Sequence, residues 1–408
     1  MKRVVITGVG GVSPLGQDIP SLLAAIEAGR CGTRRMDGWD QYPGLRSHVA
    51  APAELKDEKK IPRQSRRTMG RMSIFAVQAA EQALADAGLA VADVPAGRMG
   101  CIIGSTTGSA ISLYETYKSL IPVWDITNLS ATRFFQCVSH SAAMNVSQHL
   151  GITGRIMATC AACVSSLQAI GAGYDLIRLG EQDAVVCGGA EELHPTTTGS
   201  FDALFATSVR YNDEPSKTPR PFDRDRDGLV CGEGAGIVVL EDYDRAVARG
   251  AKIHAEIIGY HTNGSAEHVS QSSHETIAAC MRGALESAGL GPDAIRYINA
   301  HATGTVQGDT EEAAAIRELF GDRVPVSSLK GYLGHLLGAS GVLELIVSLA
   351  MMRAGVLYPT RNLDAVAADC EGVDHVMSAR RGEIPVLLKN GFAFGGINAV
   401  LVCRKAPA

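Results

Sequence analysis

Residues 157–173 read MATCAACVSSLQAIGAG, and two cysteines, Cys160 and Cys163, stand in a C-x-x-C frame ahead of a small-residue helix. Such a pair serves dithiol redox chemistry, half a zinc site, or one nucleophile beside a bystander. Zinc needs two more cysteines or histidines at motif spacing, and no second C-x-x-C exists. A thioredoxin-like motif belongs to a shorter chain, after a strand, and the context here differs. The remaining reading places Cys163 at the N-terminus of the helix. Backbone N–H groups and the helix dipole there favour a thiolate. A thiolate so placed accepts an acyl group, and neighbouring N–H groups hold the developing oxyanion. On the local sequence alone, a buried structural cysteine is the stronger competitor.

Three distant stretches change that balance. NAHATGTVQGDTEE carries His301, Thr303, Thr305, Asp309 and Glu312 after a strand. SSLKGYLGHLLGASGVLE carries Lys330, His335 and Glu344 on a glycine-punctuated turn into a helix. NGFAFGGINAVLV carries Phe392, Phe394, Gly395, Gly396 and Asn398 at a glycine-rich bend. One cysteine and two loop histidines suit acyl chemistry. Two other motifs fail on inspection. GVGGVSPLG imitates a dinucleotide fingerprint, but Ser13 stands where the third glycine belongs. DRDRDGLVCGEG begins like a calcium loop, but Gly234 occupies the place of the bidentate glutamate. A turn stapled by Asp and Arg side chains is the better reading.

The elements that must position these residues alternate. RVVITGVG, MGCIIGST, DAVVCGGAE, AGIVVLEDY and INAVLVCRK read as strands. RMSIFAVQAAEQALADAGL, VSSLQAIGAGYDLIRLGE and ASGVLELIVSLAMMRAG have helical spacing. The class is α/β, with a break near residue 250 between two halves of similar element order. ELKDEKKIPRQSRRTMGR (54–71) reads as a surface loop leading into a helix. The 408 residues are 46% hydrophobic and 20% charged, as in a folded globular protein. A net charge of −5 excludes a general nucleic-acid binder. No apolar run approaches the roughly 20 residues of a membrane span. The N-terminal apolar run is short and glycine-broken, unlike a signal peptide. Ten scattered cysteines then read as free thiols, and the location as cytoplasmic.

In order and spacing, these stretches resemble the β-ketoacyl-acyl-carrier-protein synthases of the thiolase superfamily, in particular the type II, elongating branch. The resemblance runs from RVVITGVGGVSPLG to GINAVLV, essentially the whole chain. It implies a thiolase-like fold of duplicated βαβαβ halves in α-β-α-β-α layers. Residues 1–250 would carry the nucleophile and 251–408 the two histidines. The family's nucleophile falls on Cys163, because Ile170-Gly171 follow at the family's spacing from it and not from Cys160. The histidines that assist decarboxylation fall on His301 and His335. Lys330 matches the lysine supporting the His301 network, and Glu344 a structural glutamate, with Asp309 and Glu312 as further support. Thr303 and Thr305, with Ser270, match the pantetheine contacts. Phe394 matches the gating phenylalanine, whose N–H joins that of Cys163 in the oxyanion hole.

The implied enzyme is an acyltransferase that loads an acyl chain on Cys163 and condenses it with malonyl-carrier protein. It implies no metal or redox cofactor. A degradative thiolase would carry a second cysteine in NGFAFGGIN, which has none. The initiating synthases carry Cys-His-Asn. The implied partner is an acidic acyl carrier protein, docked on Arg63, Arg66, Arg67 and Arg71 by charge complementarity. A homodimer, or a heterodimer with a homologous subunit, is implied as well. Thr107, Phe135 and Gln136 fall at the acyl pocket. Thr107 stands where fatty-acid enzymes carry a bulky apolar residue, and Gln136, Cys137 and His140 are unusually polar. Ala302, Val306 and Ala393 also depart from the common pattern. An atypical pocket follows, so a specialised polyketide or polyene pathway stands beside fatty-acid elongation. A non-catalytic partner subunit is the alternative from another class.

Overall fold

The computed structural model describes residues 1–127 and 129–406. It is organised on a mixed sheet of 11 strands. The first part of the chain contributes β1 (Val4–Val12), β2 (Met99–Gly104), β3 (Ile156–Met157), β4 (Ala184–Glu191) and β5 (Gly234–Asp242). The later part adds β6 (Ala255–Gly264), β7 (Tyr297–Asn299), β8 (Pro325–Ser327), β9 (Asp374–His375), β10 (Val386–Ala393) and β11 (Ile397–Lys405). Their spatial order is β9-β8-β7-β10-β11-β6-β1-β5-β4-β2-β3.

The two flanks mirror each other about the β1–β6 junction. On one side β5 and β4 follow antiparallel, then β2 and β3 run parallel. On the other, β11 and β10 follow antiparallel, then β7 and β8 run parallel. The flanks meet through Val4–Ile6 against Ala255–Ile257. The central strands are apolar without alternation, as strands covered on both faces must be.

Five helices set the layers: α1 (Arg71–Ala87), α2 (Ser165–Arg178), α3 (His274–Ala288), α4 (Val306–Phe320) and α5 (Ser340–Ala354). Phe75, Val77 and Ala80 of α1 pack with Val186 and Val239 on the outside of the first flank. Ile277, Met281 and Ile316 of α3 and α4 pack with Leu388 and Val400 outside the second. Leu167 and Ile170 of α2 and Leu343 and Ile346 of α5 fill the middle, against strands of both flanks. The result is the α-β-α-β-α arrangement expected. A helix buried between the two flanks must be largely apolar all round, and α5 is, apart from its serines, Glu344 and Arg353 in the last turn. The stretch Leu337–Ala354 is in fact long and apolar enough to cross a membrane, contrary to the sequence expectation, but it lies 83% buried in protein.

Two local expectations are refined. The DRDRD segment is the stapled turn expected: Arg220 pairs with Asp223, and Arg226 with Asp369. Residues 54–71 are more ordered than a loop, with helical turns at Glu58–Lys60 and Arg63–Arg66 before α1 begins.

Candidate active site

Cys163 sits in a single 3-10 turn, Ala162–Val164, that runs directly into α2. Ser165 clamps this turn. Its hydroxyl accepts from Ala161 N at 2.9 Å and donates to Ala162 O at 2.7 Å. The tightness shows at Ala162, a non-glycine residue with φ 46°. Leu337, two residues past His335, has φ 48°. Such strain persists only where the surroundings over-determine the backbone. Here two strained turns face each other across one cluster.

His335 Nε2 lies 2.9 Å from Cys163 Sγ, and its Nδ1 lies 2.9 Å from Ser340 Oγ at the start of α5. The rings of His301 and His335 stand 5.3 Å apart, nearly perpendicular. One ligand atom from each of Cys163, His301 and His335 falls within 4.8 Å of the others. A soft metal ion would find three donors there, but would first have to displace the thiol proton.

Carboxylates fasten the loops that present these groups. Glu312 on α4 accepts from His301 N at 2.9 Å and Ala302 N at 2.7 Å. Asn390 Nδ2 donates to the same carboxylate at 2.9 Å. Asp309 accepts from Phe222 N at 2.8 Å and Gly304 N at 3.1 Å, fixing the rest of that loop. Glu344 on α5 receives Lys330 Nζ on one oxygen and Lys389 Nζ on the other, both at 2.6 Å. All three of these side chains are fully buried. Lys330 therefore supports the histidines through Glu344 and through its charge, with Glu344 rather than His301 as its bonding partner.

The electrostatics correct one expectation. Burial pushes the Cys163 thiol up to about 12, and the Lys330 charge only partly opposes it. Burial also drives His301 and His335 well below the ordinary imidazole range, reinforced for both by Lys330 and Lys389. The resting site is a neutral thiol beside neutral imidazoles. The helix dipole does not overcome desolvation in so closed a site.

A cavity of about 310 Å³ reaches Cys163, His301 and His335. Ser270, Thr303 and Thr305 line it further out, with the two threonine hydroxyls 3.1 Å apart. The Phe201 and Phe394 rings, 5.7 Å apart, flank it. Phe394 precedes Gly395 (φ 89°) and Gly396 (φ 71°), a bend that only glycines make without strain. Ala393 lies in β10 paired with Ile397, where extended backbone takes alanine freely.

Several expected residues fall elsewhere. Thr107, Phe135 and Gln136 do not line this cavity. Phe135 is 42% exposed, and Gln136 donates to Arg67 O while accepting from Ser112. Gly108 packs closely against the end of helix Ala131–Cys137, where a Cβ would meet Cys137 O at 2.4 Å. Arg71 pairs with Glu233 and Ala53 O, so it is no free docking cation. Arg66 donates to Ile61 O and is half-buried, whereas Arg63 and Arg67 are exposed. Cys160 is exposed, with Sγ 3.1 Å from Thr106 O, and is not packed on an incoming strand as its apolar neighbours suggest.

Sequence reasoning passed over Lys389, Ser340, Phe201 and Glu191. Lys389 carried a usable signal, since a lysine inside the apolar run PVLLKNGF has to find a buried partner. Glu191 accepts from Thr106 N and Gly338 N, tying the loop after β2 to the turn after His335.

Comparison with known proteins is concordant across the chain. The family model "Beta-ketoacyl synthase, N-terminal domain" matches residues 1–246, and "Beta-ketoacyl synthase, C-terminal domain" matches residues 254–364. The 3-oxoacyl-[acyl-carrier-protein] synthase 1 of Escherichia coli is 38% identical over 419 residues, covering 99% of each chain. A crystal structure of a β-ketoacyl synthase from Burkholderia phymatum superposes with TM-score 0.96 at 44% identity, covering 100% of each chain. A type II polyketide synthase ketosynthase, solved with its acyl-carrier protein and bound to the hexaketide, gives TM-score 0.90 at 29% identity, again over 100% of each chain.

Proposed function

The chain belongs to the β-ketoacyl synthase family, and from that premise we propose how its own residues perform the condensation. The enzyme joins an acyl group to malonyl-carrier protein in fatty-acid or polyketide chain elongation. In our reading Cys163 is the acyl carrier, served by His335 and His301. The observation that carries it is the 2.9 Å contact between Cys163 Sγ and His335 Nε2 at the inner end of the cavity.

In the first stage Cys163 Sγ attacks the acyl thioester and the carbonyl–sulfur bond to pantetheine breaks. The thiol proton passes to His335 Nε2 and on to the departing thiolate. In the second, malonyl-carrier protein loses carbon dioxide, and the electron pair of the broken carbon–carbon bond becomes an enolate. His301 and His335 donate hydrogen bonds to the enolate oxygen, for which neutral imidazoles are suited. Each such donor is worth roughly 3 kcal/mol in a water-poor site. The enolate carbon attacks the acyl carbonyl, the bond to Cys163 breaks, and its thiolate recovers a proton from solvent. His335 must accept at Nε2 in one stage and donate from it in the other. The Ser340 hydroxyl, able to accept from Nδ1 or donate to it, accommodates both. The Cys163 and Phe394 N–H groups are assigned to the oxyanion, and Thr303, Thr305 and Ser270 to pantetheine. The electrons balance without a cofactor.

Three finer assignments complete the reading. Arg63 and Arg67, with Arg66 behind them, form the docking face for an acidic carrier protein. The edge strand β3, with Ile156 49% and Met157 37% exposed, pairs with a second copy or a homologous subunit. The halves 1–250 and 251–408 then supply the nucleophile and the two histidines, respectively. Ten free cysteines suit a reducing, cytoplasmic setting. Relatives of similar identity include polyketide synthase subunits as well as fatty-acid enzymes, so a specialised polyketide or polyene chain stands beside a long saturated one.

Intact-mass spectrometry after incubation with acyl-carrier protein tests the site. Wild type and Cys160→Ala take up one acyl group, and Cys163→Ala takes up none. Acylation that survives in Cys163→Ala refutes the assignment. A panel of acyl lengths tests the pathway, and exclusive use of long saturated chains would count against the specialised one.

A further inference from the structure

We propose that Lys389 is a positioning residue of the condensation: its ammonium shares Glu344 with Lys330 and adds a second positive charge behind His301 and His335, keeping both imidazoles uncharged donors for the enolate. This rests on the reading of the two histidines above and extends it to a residue outside the resemblance that identified them.

The geometry is specific. One lysine would suffice to neutralise Glu344. Here two ammonium groups sit on its two oxygens at 2.6 Å each, in a site closed to water. With one carboxylate between two ammonium groups, the trio carries a net positive charge. A second imidazolium-forming event next to it is opposed by Coulomb repulsion that water does not screen. The groups facing Lys389 come from every side: Glu344 from α5, Lys330 from the turn before His335, and Glu312 from α4. Both Lys330 and Lys389 act on both histidines in the same direction, lowering their affinity for a proton.

Lys389 is also tied to the presentation of His301. Its Nζ donates to Asn390 O at 2.7 Å, and Asn390 Nδ2 donates to Glu312, which in turn holds His301 N. Lys389 stands on β10, the strand that ends in the Phe392–Gly396 bend. One side chain thus links the strand leading to that bend, the buried carboxylate of α5, and the loop of His301. Burial lowers Lys389 itself to about 8, so its charge is present through neutrality and lost in mild alkali.

The test is the pH profile of malonyl-carrier-protein decarboxylation and of condensation, from pH 4.5 to 9, for wild type, Lys389→Met and Lys389→Arg. Glu344 keeps Lys330 in both variants, so neither leaves a bare buried carboxylate. In Lys389→Met the acid limb moves up by about one pH unit, so kcat falls up to roughly tenfold at pH values on and below the wild-type limb, at unchanged KM for malonyl-carrier protein. Lys389→Arg keeps the wild-type limb. Above the limb, where both histidines are neutral with or without the Lys389 charge, the wild-type and Met profiles converge. Should the Met variant not fold, Lys389→Gln is read in its place. An acid limb unmoved in the neutral variant overturns the proposal, and so does an equal loss in Met and Arg at every pH, which marks packing alone. Wild-type acylation of Cys163, read by intact mass in parallel, separates the two readings: its absence refutes the proposed function, whereas its presence with an unmoved limb refutes only the role of Lys389.

Discussion

Glu191 at the end of β4 offers a quantitative test of the strap between the loop after β2 and the turn after His335. It is 2% exposed, and one carboxylate oxygen accepts from both Thr106 N at 2.9 Å and Gly338 N at 3.1 Å. Burial raises its pKa from 4.5 to about 7, against the opposing pull of those N–H groups. The folded protein therefore holds this proton more tightly than the unfolded chain does. The stability it contributes is complete below pH 4.5 and is lost as pH rises through 7. A gap of about 2.5 units at 1.36 kcal/mol per unit corresponds to about 3 kcal/mol. The perturbation is Glu191→Gln, which keeps an acceptor oxygen for both N–H groups but does not ionise. Urea unfolding of both proteins at intervals from pH 4 to 8 reads the effect. The variant should gain on wild type by about 3 kcal/mol between pH 4.5 and 7, with no further gain above. A difference that stays constant with pH would refute the reasoning, because it would show that Glu191 carries the same charge in both states.

Other outcomes follow from the same geometry. Glu344→Leu leaves two buried ammonium groups without a counter-ion and should destabilise the fold by about 3–5 kcal/mol, measured by denaturant midpoint. Ser340→Ala leaves the buried His335 Nδ1 without its partner and should cost about 1–3 kcal/mol of stability, measured by denaturant midpoint, together with a lower kcat. Iodoacetamide followed by peptide mass mapping should label exposed Cys160 well before Cys163, whose thiol is buried and pushed up to about 12. Faster labelling of Cys163 would mean that it rests as a thiolate.

The legible parts of the site were those whose residue types are unusual at their spacing. His301 and His335 sit on glycine-broken turns and Cys163 on a small-residue turn into a helix, and the structure gathers the three around one cavity. The layers were legible because α1 shows helical periodicity and the central strands are apolar throughout. What escaped was set by contacts between residues far apart in the chain. Lys389 meets Glu344 45 residues away, and Glu191 meets Gly338 147 away, pairings that no local pattern encodes. The ionisation of Cys163 escaped for a related reason. A helix N-terminus is visible in sequence, whereas the desolvation that outweighs it depends on what else packs there.

Cys163 belongs to the apolar cluster that also holds α2, α5 and strands of both flanks. Segments of that kind open for hydrogen exchange only with the global unfolding of a protein. The Cys163 thiol is therefore not exposed by local breathing of the backbone. Phe201 and Phe394 line the cavity that reaches it, and rotation of their rings is a side-chain event on a far faster timescale. Reactivity and folding stability are in this way separated. Denaturant below the unfolding transition should leave the acylation rate flat, and a variant that loosens the molecule elsewhere should exchange its amides faster without reacting faster.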